Sequence, residues 1–369
     1  MGITDGDYRF TPDGPGDEPA PGKGIQQQGI TGSFLHQGSG RYQAPASYFL
    51  IRGDVNSHGS QMQPGFPAVL LNGEIPTAIP PANGKTSGRR LALAQWLGSP
   101  ENPVTARVLI NRIWHHHFGT GIVRTIDNFG VMGEVPSNPQ LLDWLSTEFI
   151  RQGWSIKQMH RLIMSSSTYQ MDSHFDNPAS NTADPRNTSL WRFPIHRLDA
   201  EIVRDSILAS AGTLNTTIGG PAVFPVLQPD ALRAMTHGIW NQDQDGPAVW
   251  RRSVYVYRKR GLPFPMFEVF DLPDQNISCG ARNVSTVPTQ ALTLLNNDFV
   301  LKQSTLFARY LEEALPGNRT AQIKLAYERT LARQPSPKEQ QLAQDFLSRQ
   351  PLEAFTHVLL NLNEFLYIN

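Results

Sequence analysis

The chain has 369 residues, carries 32 Lys plus Arg against 32 Asp plus Glu, and is 39% hydrophobic. The balance excludes a global field that would draw it onto nucleic acid or an anionic membrane, and the length suffices for one large domain or two ordinary ones with a buried core. Its one cysteine, Cys279, excludes an intramolecular disulfide, a Cys-x-x-Cys-His haem attachment and a Cys-rich zinc site.

Residues 1 to 45 are rich in Gly, Pro and Gln and show no apolar period, which reads as an irregular linker or the remnant of an upstream domain. Met1-Gly-Ile-Thr-Asp-Gly-Asp is not the basic-then-apolar start of a signal peptide, so either the chain is cytoplasmic or its front end is missing. Residues 46–88 read as an extended lead-in. Tyr48-Phe-Leu-Ile-Arg-Gly-Asp is expected as a strand ending in a turn. Phe66-Pro-Ala-Val-Leu-Leu follows as a second strand or extended segment, and residues 72–88 form a Pro/Gly-rich connector. No apolar run approaches the roughly 20 residues that span a bilayer.

Helical signals begin at Arg89, with a short helix to Leu97 stopped by Gly98. Asn102-Pro103 supplies an N-cap and a proline at the first helical position for a helix that ends at Phe118, before Gly119. Ala106, Ile110, Ile113, Trp114 and His117 share one face of it. Ser137-Asn-Pro opens the next helix, with Leu141, Leu142, Leu145 and Phe149 as its buried stripe. Ser155 caps another, with Ile156, Met159, Leu162 and Ile163 inside, and residues 198–211 form a further one ended by Gly212. Residues 213–250 are less regular. Arg252-Ser-Val-Tyr-Val-Tyr-Arg alternates as a strand does, and 261–288 reads as a long Pro-punctuated loop. Helices are then expected over roughly 289–295, 297–314, 320–332, 337–348 and 351–361. The fold class is mainly α: a multi-helix domain over 89–369 with a small β element, built from residues near 48–54 and 252–258, and long irregular loops.

The run Asn111-Arg-Ile-Trp-His-His-His-Phe-Gly-Thr-Gly-Ile-Val-Arg-Thr, followed by Asp127-Asn-Phe-Gly, carries a family resemblance. So do Pro139-Gln-Leu-Leu-Asp-Trp-Leu, Arg197-Leu-Asp-Ala-Glu, Val284-Ser-Thr-Val-Pro-Thr-Gln-Ala-Leu-Thr-Leu-Leu-Asn and the ending Asn363-Glu-Phe-Leu-Tyr. Together they resemble the planctomycete-specific C-terminal domain of unknown function, over residues 89 to 369. The upstream Arg52-Gly-Asp and Gln63-Pro-Gly-Phe-Pro resemble the segment that precedes it. The resemblance implies the closing module of an exported multidomain protein, periplasmic or on the cell surface. In such proteins a cytochrome-c-like haem domain and a second planctomycete domain stand upstream. Neither those parts nor a signal peptide is in this chain, so haem would belong to a missing upstream domain and no cofactor is expected here. The resemblance carries no reaction and no catalytic residue with it.

The residues offer four clusters. Neighbouring helix positions differ by about 100°, so His115, His116 and His117 cannot all face one ion, and metal pairs on helices sit at i, i+4. No metal ligand is assigned. His116 and His117 remain candidates for acid or base work against packing near a helix C-terminus, which favours partly cationic side chains. Arg197, Glu201 and Arg204 fall at i, i+4, i+7 with Asp205 adjoining and Asp199 to the side. This spacing makes ion pairs on a solvated face; the alternative is a buried polar cluster whose carboxylates serve as acid and base. Arg251 to Arg260 mixes basic and aromatic residues, but strand alternation and neutral net charge argue against nucleic acid. Arg252 could instead clamp an anionic group on a glycan. Cys279 would need a nearby cation such as Arg282 to act as a nucleophile; otherwise it is a small packed loop residue.

The catalytic candidates are therefore His116, His117, Asp199, Glu201 and Cys279. Binding candidates are Asn111, Arg112, Arg124, Asp127, Arg204, Arg252 and Arg282, with the stretch 111–134 the first choice for a pocket. Three functions stand open: a noncatalytic module that docks to or completes a haem-bearing or surface partner, an extracytoplasmic hydrolase acting on glycans or related polymers, and a metal-binding protein. The first is favoured, because no spacing forces an acid/base or nucleophile set. Oligomeric state is not encoded in any of these features.

Overall fold

The computed structural model describes residues 46–71, 88–227, 232 and 240–368. The irregular reading of 1–45 and nearly all of the 72–88 connector lie outside the described residues. The rest falls into two compact units. One holds 46–71, 88–113 and 138–159; the other holds 114–137 and the described part of 160–369.

In the first unit, strands β1 (Ser47–Leu50) and β2 (His58–Met62) form an antiparallel hairpin. Tyr48 stacks on His58 at 4.6 Å. Phe66-Pro-Ala-Val-Leu-Leu holds a 3-10 turn at Ala68–Leu70 instead of a strand. Helix α1 (Arg89–Leu97) ends at Gly98 as expected. The Asn102 side chain accepts from the amides of Val104 and Thr105, both at 3.0 Å, and so caps α2 (Thr105–Phe118). Ala106, Ile110 and Ile113 are buried along it. Arg107 Nε donates to Asp143 Oδ1 at 2.7 Å, tying α2 to α3 (Pro139–Arg151). Asn138 caps α3 by accepting from Leu141 N, and Leu142, Leu145 and Phe149 form the buried stripe. Helix α4 (Ile156–Met164) follows and runs on into the second unit from His160; Met159 and Ile163 are buried and Ile156 is exposed.

The second unit is organised around α6 (Ala200–Ser210), which follows the short α5 (Pro178–Ala183). Ala200, Val203, Ile207 and Leu208 of α6 are fully buried. They join one core with residues of α7 (Pro265–Val269), α8 (Pro288–Asn296) and α9 (Asp298–Ala314), notably Phe267, Leu294 and Val300. A second core joins Phe307 and Leu311 of α9 to Ile323 of α10 (Arg319–Leu331), Ala343 of α11 (Pro337–Leu347) and Phe355 of α12 (Leu352–Leu360). The chain closes with α13 (Asn363–Leu366) and β4 (Tyr367–Ile368), which pairs antiparallel with β3 (His196–Arg197).

The mainly α class with a small β element holds, and the late helices lie within a residue or two of expectation. The expected strand at 252–258 does not form. Ser253–Tyr255 is a 3-10 turn, flanked by single parallel bridges from Asn215 to Arg251 and from Val223 to Val256. The cause is Asp205 on α6, whose Oδ1 accepts from both Ser253 N at 2.7 Å and Ser253 Oγ at 2.6 Å. That capture coils the backbone, so Ser253 and Val256 turn inward while Val254 is 74% exposed. The expected 261–288 loop also contains helix α7.

Candidate functional site

The solvated face expected for Arg197, Glu201 and Arg204 is instead largely interior. Arg197 precedes α6 on β3 and is buried, donating to Asp271 Oδ2 at 2.6 Å. Arg204 is 1% exposed. Its Nη1 donates to Arg251 O at 2.9 Å and its Nη2 to Val249 O at 2.8 Å, with Ser253 Oγ at 3.2 Å. Burial draws its guanidinium down to about 10, against the opposing pull of Asp205 and Asp245. Arg251 likewise points inward, to the carbonyls of Pro221, Thr217 and Gly219. Arg252 is exposed, with Nε 3.8 Å from Asp205 Oδ2.

Glu201 sits between two arginines. Arg282 Nη1 donates to its Oε2 at 2.6 Å and Arg282 Nη2 to its Oε1 at 3.2 Å, while Arg258 pairs with Oε1. Burial alone would raise the Glu201 carboxyl, but the hydrogen bond from Arg282 and the charges of both arginines more than offset it, and it lies below the usual carboxylate range. Burial works to lower Arg282, yet Glu201 prevails and raises it. Asp199 stands 3.6 Å from Arg282 Nε. The acidic pair therefore holds the loop that carries Arg282 against α6, and a carboxylate so stabilised is a poor proton acceptor at neutral pH.

Cys279, in that same loop, is exposed, and its Sγ donates to Ala281 O at 3.0 Å. The next residue, Gly280, meets the loop after the histidine helix: a Cβ here would overlap the Asp127 carboxylate, which would have to move aside. The 120–137 loop is itself well built. Thr125 Oγ1 donates to Asn128 O at 2.8 Å and accepts from Glu134 N at 2.9 Å, and Ser137 N donates to Ile122 O at 2.8 Å. Arg124 lies 3.8 Å from Glu134 across its base. Between these ties, Val131, Met132 and Val135 are 102%, 88% and 86% exposed. Ile277 and Val284, either side of Gly280, are also exposed.

His116 is exposed, its ring edge-on to His115 at 5.4 Å. His117 is half-buried and shares a 2.8 Å hydrogen bond from its Nε2 to Nδ1 of His160, with Tyr169 edge-on at 5.3 Å. Burial, then the charges of His160 and His116, lower its pKa. Asn111 is fully buried and Arg112 exposed, both in the first unit. The structure thus unites Asp199, Glu201, Cys279, Arg282 and Asp127 along neighbouring loops of the second unit. Among the described residues, no hydrogen bond or ion pair joins His116 or His117 to them. His160 and Gly280 escaped sequence reasoning because each meets its partner from a distant segment with no spacing signal. Among the described residues no three His, Cys, Asp or Glu side chains group as a metal site, and no helix is long and apolar enough to cross a membrane.

Residues 89–347 match the model of a family described as PSD1, protein of unknown function (DUF1553), and the match begins at the first residue of α1. No curated protein and no solved structure matches the chain.

Proposed function

This chain belongs to the PSD1 family of proteins of unknown function (DUF1553), and for it we propose a noncatalytic docking module. In this reading it closes an exported planctomycete protein, at the periplasmic or cell-surface side, and seats a cytochrome-c-like haem domain. The haem is the partner's, since a single cysteine supplies no attachment pair here.

One observation carries the reading: a hydrogen-bonded loop presents Val131, Met132 and Val135 to water beside exposed Ile277 and Val284. Leaving such side chains in water forgoes roughly 1.5–3 kcal/mol of burial each, and an apolar centre with a charged rim is how protein interfaces are composed. Arg124, Asp127 and Glu134 supply that rim. The commitment of Glu201 and Asp199 to Arg282 supports the noncatalytic part. The choice of a haem domain rests on the company such modules keep in the proteins they resemble.

The test is a photo-crosslinker at position 132, activated in periplasmic extract of the encoding organism, with haem staining of the crosslinked product. A haem-positive adduct that Val131→Asp abolishes is expected. No haem-positive adduct, or one unaffected by Val131→Asp, refutes the reading.

A further inference from the structure

The second unit carries an open depression of about 560 Å³ lined by His174, Ile195, Thr286, Asn363, Glu364 and Tyr367. Its size falls within the range of roughly 300–1,000 Å³ typical of small-ligand sites. Of the six, only Thr286 lies in the loop that also carries Arg282 and Val284.

The lining is polar, and its one carboxylate is already paired. Glu364 receives Arg333 Nε at 2.6 Å and Nη2 at 2.7 Å, and Arg333 is further committed to Glu339. Among the described lining residues no lysine or arginine stands free to attract an anionic ligand, and Glu364 is held by both nitrogens of the Arg333 fork. The other groups are neutral hydrogen-bonding ones. The Asn363 carboxamide is exposed and has no hydrogen-bond partner among the described residues. Tyr367 Oη and Thr286 Oγ1 lie 3.3 Å apart, each with further capacity to donate or accept. His174 engages Ser173 Oγ through Nδ1 at 3.0 Å, and among the described residues its Nε2 makes no hydrogen bond. Ile195, 49% exposed, and the Tyr367 ring add apolar surface beside them.

We propose that this depression binds a neutral saccharide. A sugar offers hydroxyls that both donate and accept, beside C–H faces that prefer apolar contact, which is the combination the lining presents. An anionic ligand finds no free lysine or arginine among the described lining residues, Glu364 is already paired with Arg333, and a purely apolar ligand would leave the carboxamide, hydroxyl and imidazole groups without water or a hydrogen bond. The open side suits a unit within an oligomer whose chain continues into solvent.

The experiment titrates the purified protein with cellohexaose, xylohexaose, maltohexaose and chitohexaose, with an alginate hexasaccharide as the acidic comparison, by calorimetry and saturation-transfer NMR. At least one neutral hexasaccharide is expected to bind saturably. Asn363→Ala should weaken it about tenfold and Tyr367→Phe should weaken it less, both with unchanged melting. Saturable binding of none of the neutral oligosaccharides, tighter binding of the alginate oligomer, or binding indifferent to Asn363→Ala would each overturn the proposal. The docking variant Val131→Asp should leave this titration unchanged, so the two readings fail separately.

Discussion

The Asp127 carboxylate lies directly against Gly280, where any side chain would collide with it. Two loops more than a hundred residues apart in sequence are thereby fitted to one another. A methyl group at position 280 must push the Asp127 carboxylate aside, and overpacking of this kind costs about 1–3 kcal/mol. Gly280→Ala is expected to destabilise near the low end of that range, because Asp127 is exposed and can yield. Asp127→Ala in the same chain should recover most of the loss. A double-mutant cycle by urea denaturation reads the coupling; strictly additive effects would show that the contact is not felt.

Glu201 holds Arg282 and Arg258 at once, and its side chain is 14% exposed. Removing it as Glu201→Ala strands two guanidinium groups that are only partly solvated. A fully buried pair would cost about 3–5 kcal/mol on losing one partner; with partial exposure about 1–3 kcal/mol is expected. The folded carboxyl titrates below its unfolded value. The contribution is therefore present above the usual carboxylate range near 4.3 and lost as pH falls below it. Stability difference between wild type and Glu201→Gln, measured from pH 7 downward, should shrink on acidification. A constant difference would contradict this.

His117 is the group that moves stability closer to neutrality. Its folded pKa is depressed below the ordinary value near 6.5, so the unfolded chain binds the proton more readily. Its contribution is complete above that ordinary value and is lost as pH drops beneath it. Melting temperature should fall between about pH 6.5 and 5 more steeply in wild type than in His117→Gln, which cannot titrate. Parallel curves would remove His117 from the account.

Arg204 donates to two backbone carbonyls and a hydroxyl from a position 1% exposed. Arg204→Met empties those acceptors and is expected to cost about 2–4 kcal/mol in urea denaturation. Arg204→Lys should also destabilise, since a single ammonium cannot reproduce the planar fork. A loss under about 0.5 kcal/mol for either would mean that the carbonyls find other donors.

What could be read in the sequence was whatever depends on near neighbours. The opening of α3 at Ser137-Asn-Pro, the end of α2 at Gly119 and the stripe of Leu142, Leu145 and Phe149, with Leu141 half-buried beside it, are all local, and they appear where the spacing puts them. The misreadings occur where a distant group wins. Arg252 to Arg258 alternates like a strand, but Asp205 takes the amide and hydroxyl of Ser253 and coils it. Arg197 and Arg204 are spaced like surface charges, but Phe270, Asp271, Val249 and Arg251 lie close enough to draw them inward. The candidate cluster was legible as residue types. Its geometry was not, because Arg282 meets Glu201 across 81 positions and His160 meets His117 across 43.

The interior arginines have an evolutionary consequence. Arg204 and Arg251 grip mostly main-chain oxygens: those of Val249 and Arg251, and of Pro221, Thr217 and Gly219. A carbonyl is the same whichever side chain it carries. The segments so held are free to drift in composition while their path is kept, and the grip itself should outlast the residues it holds.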